Sequence, residues 1–246
     1  MKRFLKIYSI EQKLAFRCVD SVLFGVLMPV GVLILIAIVG GNTSVKTSDY
    51  TFLESGFASL IAVGICANAF MGIPLTIADY RDKKILKHFF ATPCSPMQIL
   101  GVNVLCGGVS AIVSAIGVTL VAVVAFDYRM KGNVILFLLA WVLTLVSMFS
   151  IGLLIASVCK TVKTTNAITS VVYFPMLFLS GATIPFELFP KGLQKVASVL
   201  PLTQGIKLMK ETSLGIESKG IMARVLLLFG ITIVCCLLSV KTFRWE

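Results

Sequence analysis

Histidine occurs once in the 246 residues, at His88, and none of the nineteen glycines is followed by lysine. The first shortage removes a His-paired nucleophile and any two-histidine metal site within one chain. The second removes the G-x-x-x-x-G-K-[ST] loop that cradles nucleotide phosphates, so no P-loop hydrolysis can be assigned to this chain. The seven cysteines, Cys18, Cys66, Cys94, Cys106, Cys159, Cys235 and Cys236, show no C-x-x-C spacing. They give neither a disulfide framework nor a metal cluster, and are read as small apolar residues in helix packing. Charge is also scarce, at 13% of residues. No long apolar run holds Asp, Glu or Lys near its centre, the usual mark of a proton- or ion-coupled carrier.

What the chain has in excess is apolar length. Hydrophobic residues make up 58% of it and its mean hydropathy is +0.99, more than a water-soluble domain of this size can bury in one core. Six runs occupy 21–39, 57–78, 99–126, 134–158, 167–188 and 221–240. Each holds about 20 apolar residues, enough at roughly 1.5 Å per residue to cross a hydrocarbon core of roughly 30 Å. The predicted fold class is an all-α polytopic membrane protein with six transmembrane helices, forming one transmembrane domain over 1–246.

An even number of crossings puts both termini on one side. Lys2, Arg3, Lys6, Lys13, Arg17, Arg81, Lys83, Lys84, Lys87, Lys160, Lys163, Lys241 and Arg244 fall in short segments on that side, against Lys46, Arg129 and Lys131 on the other. The segment 181–220 also carries lysines, but it is long enough to be translocated regardless of charge. The bias predicts a multi-pass protein of the cell membrane with both termini cytoplasmic. The first run is not read as a cleaved signal peptide, because five more runs follow it. The net charge of +11 is read as membrane orientation and contact with anionic lipids rather than nucleic-acid binding.

Several helix starts are written locally. Ser9 to Gln12, Thr51 to Glu54 and Ser95 to Gln98 fit the capping box, the last with Pro96 at the first helical position. The arm 1–20 mixes Phe4, Leu5, Ile7, Tyr8, Ile10, Leu14 and Phe16 with five cations, the pattern of a helix lying in the interface. Between runs five and six, Leu193, Val196, Ala197 and Leu200 give one apolar face to a short helix bounded by Pro190 and Pro201. With Phe186, Leu188 and Phe189 ahead of it, the segment 181–220 is read as a partly re-entrant outer hairpin containing short helices. Phe186 and Phe189 are its candidate gate residues. Arg224, one turn from the outer end of the sixth run, is read as snorkelling to the interface, with a place on a pathway as the alternative.

Polar residues within the runs are few, and helix packing accounts for them; Gly107, Ala111 and Ala115 add small-xxx-small spacing. Asn68, Met71 and Thr76 in the second run and Thr169, Tyr173 and Met176 in the fifth combine polar, thioether and aromatic groups. They are the candidate wall of a pathway for an amphipathic cargo.

The most informative loop runs from Asp79 to Ser95. Its middle reads as a short helix with Ile85, Leu86, Phe89 and Phe90 on one side, able to lie on the membrane or to insert into a partner's groove. Arg81, Asp82, Leu86, Phe89, Thr92, Pro93 and Ser95 occupy the matching positions of a pattern close to R-E-x-G-T-L-x-x-L-x-x-T-P-x-S. The loop thereby resembles that of permeases of the type 2 ATP-binding-cassette (ABC) exporter family. Lys84 and Ile85 stand where that family commonly has Gly and Thr. Leu179 to Pro185, Leu188 to Pro190 and Leu200 to Thr203 are similar to the family's segment before its sixth span.

The resemblance implies a transport subunit that is not itself an enzyme and binds no cofactor, with ATP held by a separate ABC ATPase subunit. It also implies a second permease subunit, as homodimer or heterodimer. The loop at 79–95 becomes a cytoplasmic coupling helix, with Arg81, Asp82, Ile85, Leu86, Phe89 and Phe90 as the ATPase-docking residues. The second and fifth spans would face each other across the dimer. A pathway without a central charge suits export of a hydrophobic or amphipathic substrate, an amphipathic or antimicrobial peptide or a drug ahead of a lipid or lipid-linked polymer. The competing reading is a self-contained carrier or channel; a membrane-embedded enzyme lacks the paired nucleophile and base it would need.

Overall fold

The computed structural model describes residues 2–17, 22–40, 51–85, 96–182, 186, 189–216 and 220–242. The regular elements among them are helical: α1 (Lys2–Arg17), a π-turn (Leu23–Leu27) leading into α2 (Met28–Gly40), α3 (Phe52–Ala67), a second π-turn (Asn68–Gly72), α4 (Ile73–Asp82), α5 (Pro96–Phe126), α6 (Val134–Val158), α7 (Val162–Leu179), α8 (Lys191–Val199), α9 (Pro201–Leu214) and α10 (Ile221–Thr242). Among the described residues, four stretches are long and apolar enough to cross a membrane: Leu53–Asp82, Gln98–Phe126, Val134–Val158 and Ile221–Thr242. Leu23–Ile38 is a shorter apolar helix. Helix α7 is 18 residues long and opens on Lys163, Thr164, Thr165 and Asn166, which dilutes its apolar character.

Caps set the ends. The Thr51 hydroxyl accepts from the Glu54 amide at 3.3 Å while the Glu54 carboxylate accepts from the Thr51 amide at 2.9 Å, a reciprocal capping box that opens α3. Helix therefore begins upstream of the apolar run at 57–78 and continues to Asp82. Thr161 and Thr164 close a similar pair and start α7 at Val162. That helix ends at Leu179, well before residue 188, because Gly181 takes a left-handed φ of 85° that turns the chain away. The start read at Ser9 is not one: α1 runs unbroken through it from Lys2 to Arg17. Ser95 lies outside the described residues, and α5 has Pro96 as its first residue.

The helices converge on the π-turn at Asn68–Gly72. Asn68 is 1% exposed and its amide donates to the Gly64 carbonyl at 2.8 Å. Small residues let the neighbours close in. A Cβ on Gly152 of α6 would run into the Ala69 carbonyl, and one on Gly25 would sit 2.9 Å from Asn68 Nδ2. A Cβ on Gly64 would meet the Ser114 hydroxyl of α5. Around this crossing pack Phe57, Phe70, Ile61, Ile65, Ile73 and Met148, each 2% exposed or less.

The bundle has two distinct ends. At one, the Tyr80 hydroxyl donates to Glu11 of α1 and the Ser157 and Thr242 hydroxyls lie 2.8 Å apart, so the first and last described helices share that end. At the other, the Gly132 amide donates to the Ser213 carbonyl at 2.9 Å, the Tyr128 ring stacks on Phe57 with centroids 4.4 Å apart, and Lys131 lies 2.6 Å from Glu54. Helix α9 starts deep between them: a Cβ on Gly205 would sit 2.6 Å from Thr144 Cγ2, near the middle of α6. From there α9 runs to Ser213, which meets Gly132 at that end. Arg224 does not snorkel. It pairs with Glu211 of α9, the two side chains 19% and 14% exposed, because α9 brings an acid to a place where the sequence shows no partner.

The crossing makes a stability prediction. Gly152→Ala should destabilise the fold by about 1–3 kcal/mol through overpacking, whereas Gly108→Ala, with nothing within 4 Å of its added Cβ, should be neutral. Thermal unfolding in detergent micelles compares them, and equal midpoints would refute the close-packed crossing.

Candidate functional site

The foot of α4 carries polar bonds to two other helices. Arg81 donates through Nη1 to the Ala156 carbonyl at 3.2 Å and to the Cys159 carbonyl. These belong to the last turn of α6, whose carbonyls lack helical partners and whose dipole favours a cation. The next residue does the reverse. The Asp82 carboxylate accepts from the Val162 amide at 3.1 Å, at the first turn of α7, where unsatisfied amides favour an anion. Arg81 and Asp82 thus hold the two sides of the α6–α7 turn, with Asp82 still exposed. Ile85 packs partly buried against Tyr80 and Ile99. Leu86, Phe89 and Phe90 lie outside the described residues. Lys83 and Asp79 form an exposed i, i+4 pair at 2.8 Å, which contributes little.

One turn above, Glu11 of α1 is only 8% exposed and accepts a hydrogen bond from Tyr80. Burial raises its carboxyl above the ordinary carboxylate range, an effect the Tyr80 hydrogen bond partly offsets. Glu11 opens onto a cavity of about 420 Å³ between α1, the second π-turn, α4, α5 and the start of α7. Asn68, Met71 and Thr76 line it, so three of the pathway candidates are brought together. The Thr76 hydroxyl is turned back to the Gly72 carbonyl at 2.9 Å.

The fifth-run candidates sit elsewhere. Thr169, Tyr173 and Met176 are 1%, 0% and 7% exposed and face the protein interior. The Thr169 hydroxyl donates to the Thr165 carbonyl at 2.9 Å. The open side of α7 is carried instead by Ile168, Val171, Phe174 and Phe178. Phe186 and Phe189 do meet, edge to face with centroids 6.2 Å apart, and the Lys207 ammonium of α9 lies 3.6 Å from the Phe186 centroid.

A family model described as ABC-2 type transporter matches residues 4–214. The chain belongs to the ABC-2 type transporter family. As a member it is similar to the Inner membrane transport permease YhhJ of Escherichia coli (strain K12), 24% identical over 129 residues, 52% of this chain and 34% of that one. It is also similar to the Probable multidrug ABC transporter permease YbhR of the same strain, 26% identical over 153 residues, 62% of this chain and 42% of that one. Nodulation protein J of Rhizobium leguminosarum bv. viciae is 35% identical over 66 residues, 27% of this chain and 26% of that protein. The matched regions therefore span from about a quarter to about two fifths of these relatives' length.

For this ABC-2 family chain, the two-sided hold on the α6–α7 turn is testable by amide hydrogen exchange. Arg81→Met should speed exchange at Cys159 to Val162 and lower stability by about 1.5–3 kcal/mol, the range for hydrogen bonds from a charged donor, while exchange at Gly132 and Ser213 stays unchanged. Unaltered exchange at the turn would remove the assigned role.

Proposed function

We propose that the chain is the membrane subunit of an ATP-driven exporter of the cell membrane, crossing it six times with both termini cytoplasmic. It pairs with a separate ABC ATPase subunit and with a second permease subunit, and binds no cofactor of its own. The observation that carries this reading is the grip of Arg81 and Asp82 on the α6–α7 turn. These residues stand at the foot of the loop whose apolar residues Leu86, Phe89 and Phe90 would enter the ATPase. Movement of that loop is thereby passed to α6 and α7 through helix termini. Coupling in this sense is a differential affinity of the ATPase for two permease states.

The substrate is a hydrophobic or amphipathic molecule, a peptide or a drug. Supporting this are the absence of a central intramembrane charge in the sequence and the mixed polar and apolar lining of the cavity at Asn68, Met71 and Thr76. The exposed apolar residues Leu5, Ile10 and Phe16 of α1 lie among Lys6, Lys13 and Arg17, which suits contact with anionic lipid at the same end.

Co-expression with an ABC ATPase should yield a complex that survives purification. Leu86→Ala or Phe89→Ala should leave insertion and basal ATP hydrolysis intact while transport in proteoliposomes falls about tenfold, the equivalent of about 1.4 kcal/mol of lost docking. Full transport in both variants would refute the docking role.

A further inference from the structure

The cavity beside α1 carries charge of one sign. Glu11 and Asp79 line it, and no Lys, Arg or His does so among the described residues. Asp79 already has Lys83 as a counter-ion on its exposed side. Glu11 has none among the described residues: its recorded partner is the Tyr80 hydroxyl, and its side chain is withdrawn from water. A carboxylate held in this way is short of positive charge, and a cation entering the cavity would supply it.

The remaining lining specifies the rest of the ligand. Leu14, Met71, Leu75 and Val162 form an apolar wall, and Asn103 and Ser110 turn their polar hydrogens back to carbonyls of their own helix. An apolar body is therefore accommodated without competing for those hydrogen bonds. The volume of about 420 Å³ falls within the range of small-molecule sites. We propose that this cavity binds a small lipophilic cation, its positive centre facing the Glu11 carboxylate and its apolar body against Leu14, Met71 and Leu75. As a statement about cargo it rests on the export reading, since Asn68, Met71 and Thr76 of the candidate pathway line the same space; as a statement about binding it rests on the cavity alone. It also places α1 on the cavity wall, where a ligand would touch it.

Tetraphenylphosphonium and tetraphenylborate share a shape and differ in sign. Equilibrium dialysis of each against the full chain in phosphatidylcholine nanodiscs, corrected by empty nanodiscs, should show saturable uptake of the phosphonium alone. Glu11→Gln should weaken it about tenfold, a modest share of the attraction between opposite charges at partly buried sites. Leu14→Trp should remove it by filling the cavity, and Asp127→Asn, exposed at the far end, should leave it unchanged. If Glu11→Gln does not elute as a folded, monodisperse protein, Leu14→Trp and the phosphonium–borate difference decide. Saturable borate uptake of equal affinity, undiminished phosphonium binding in Leu14→Trp, or no saturable phosphonium binding by the unaltered chain would overturn the proposal. None of these measurements includes an ATPase. A cavity that rejects the phosphonium leaves a coupled permease standing, and a chain that binds it but never associates with an ATPase loses the export reading alone.

Discussion

Everything in this bundle accommodates one wide turn of helix. Between Asn68 and Gly72 the backbone of a thirty-residue rod takes a π-turn, which misaligns carbonyls and amides in a place where no water would be available to satisfy them. Asn68 answers part of the need by donating to Gly64. The rest is met by exclusion: Gly152, Gly25 and Gly64 bring α6, the first π-turn and α5 so close that the disturbed turn is sealed in protein. Below it the rod resumes as α4 with Pro74 in its first turn, so Met71 and Thr76 face the cavity while Arg81 and Asp82 reach the α6–α7 turn. A straight helix would put these residues on other faces.

The charged groups at the two ends are held differently. At the α1 end Arg81 and Asp82 bond to helix termini, of α6 and α7. At the α9 end ion pairs also cross between elements, Lys131 with Glu54 and Arg224 with Glu211, beside the Gly132–Ser213 backbone bond. Glu211 and Arg224 are mostly buried, so each depends on the other being present; losing one partner leaves an uncompensated charge. Helix α10, by contrast, leaves Met222, Leu226, Phe229 and Val234 exposed along its length, the surface expected of a helix whose outer face meets lipid.

The sequence was most readable where structure is local. Capping at Thr51 and the break at Asn133, whose side chain accepts from the Ile135 amide at 2.8 Å, are written within three residues. So is the amphipathic stretch that becomes α8. Helix α9 falls within the segment expected to hold short helices, but its position is not legible because Lys207, Lys210 and Glu211 interrupt Leu202, Ile206, Leu208 and Met209, and its burial comes from α6 and α3, not from its own pattern. Its signals are punctuation, Pro201 at the first position and Gly215 as the left-handed cap, with Gly205 the small residue where α6 approaches. Glu11 and Tyr80 are 69 positions apart, so nothing in the local pattern of α1 marks this acid as buried. Ala156 and Cys159 meet Arg81 through their backbone carbonyls, which leave no residue type to recognise. The inward burial of Thr169, Tyr173 and Met176 was equally hidden, since composition names a mixed face without saying which way it turns.

Adjacent residues on a helix point about 100° apart, and here those two directions lead to the closing turn of one helix and the opening turn of the next. Rolling α4 about its axis cannot tighten both grips: bringing Arg81 further over the α6 carbonyls draws Asp82 off the Val162 amide, and the opposite roll does the opposite. Sliding α4 along its axis strains both together. The foot of α4 therefore ties the end of α6 and the start of α7 to the sense of a twist as well as to its size.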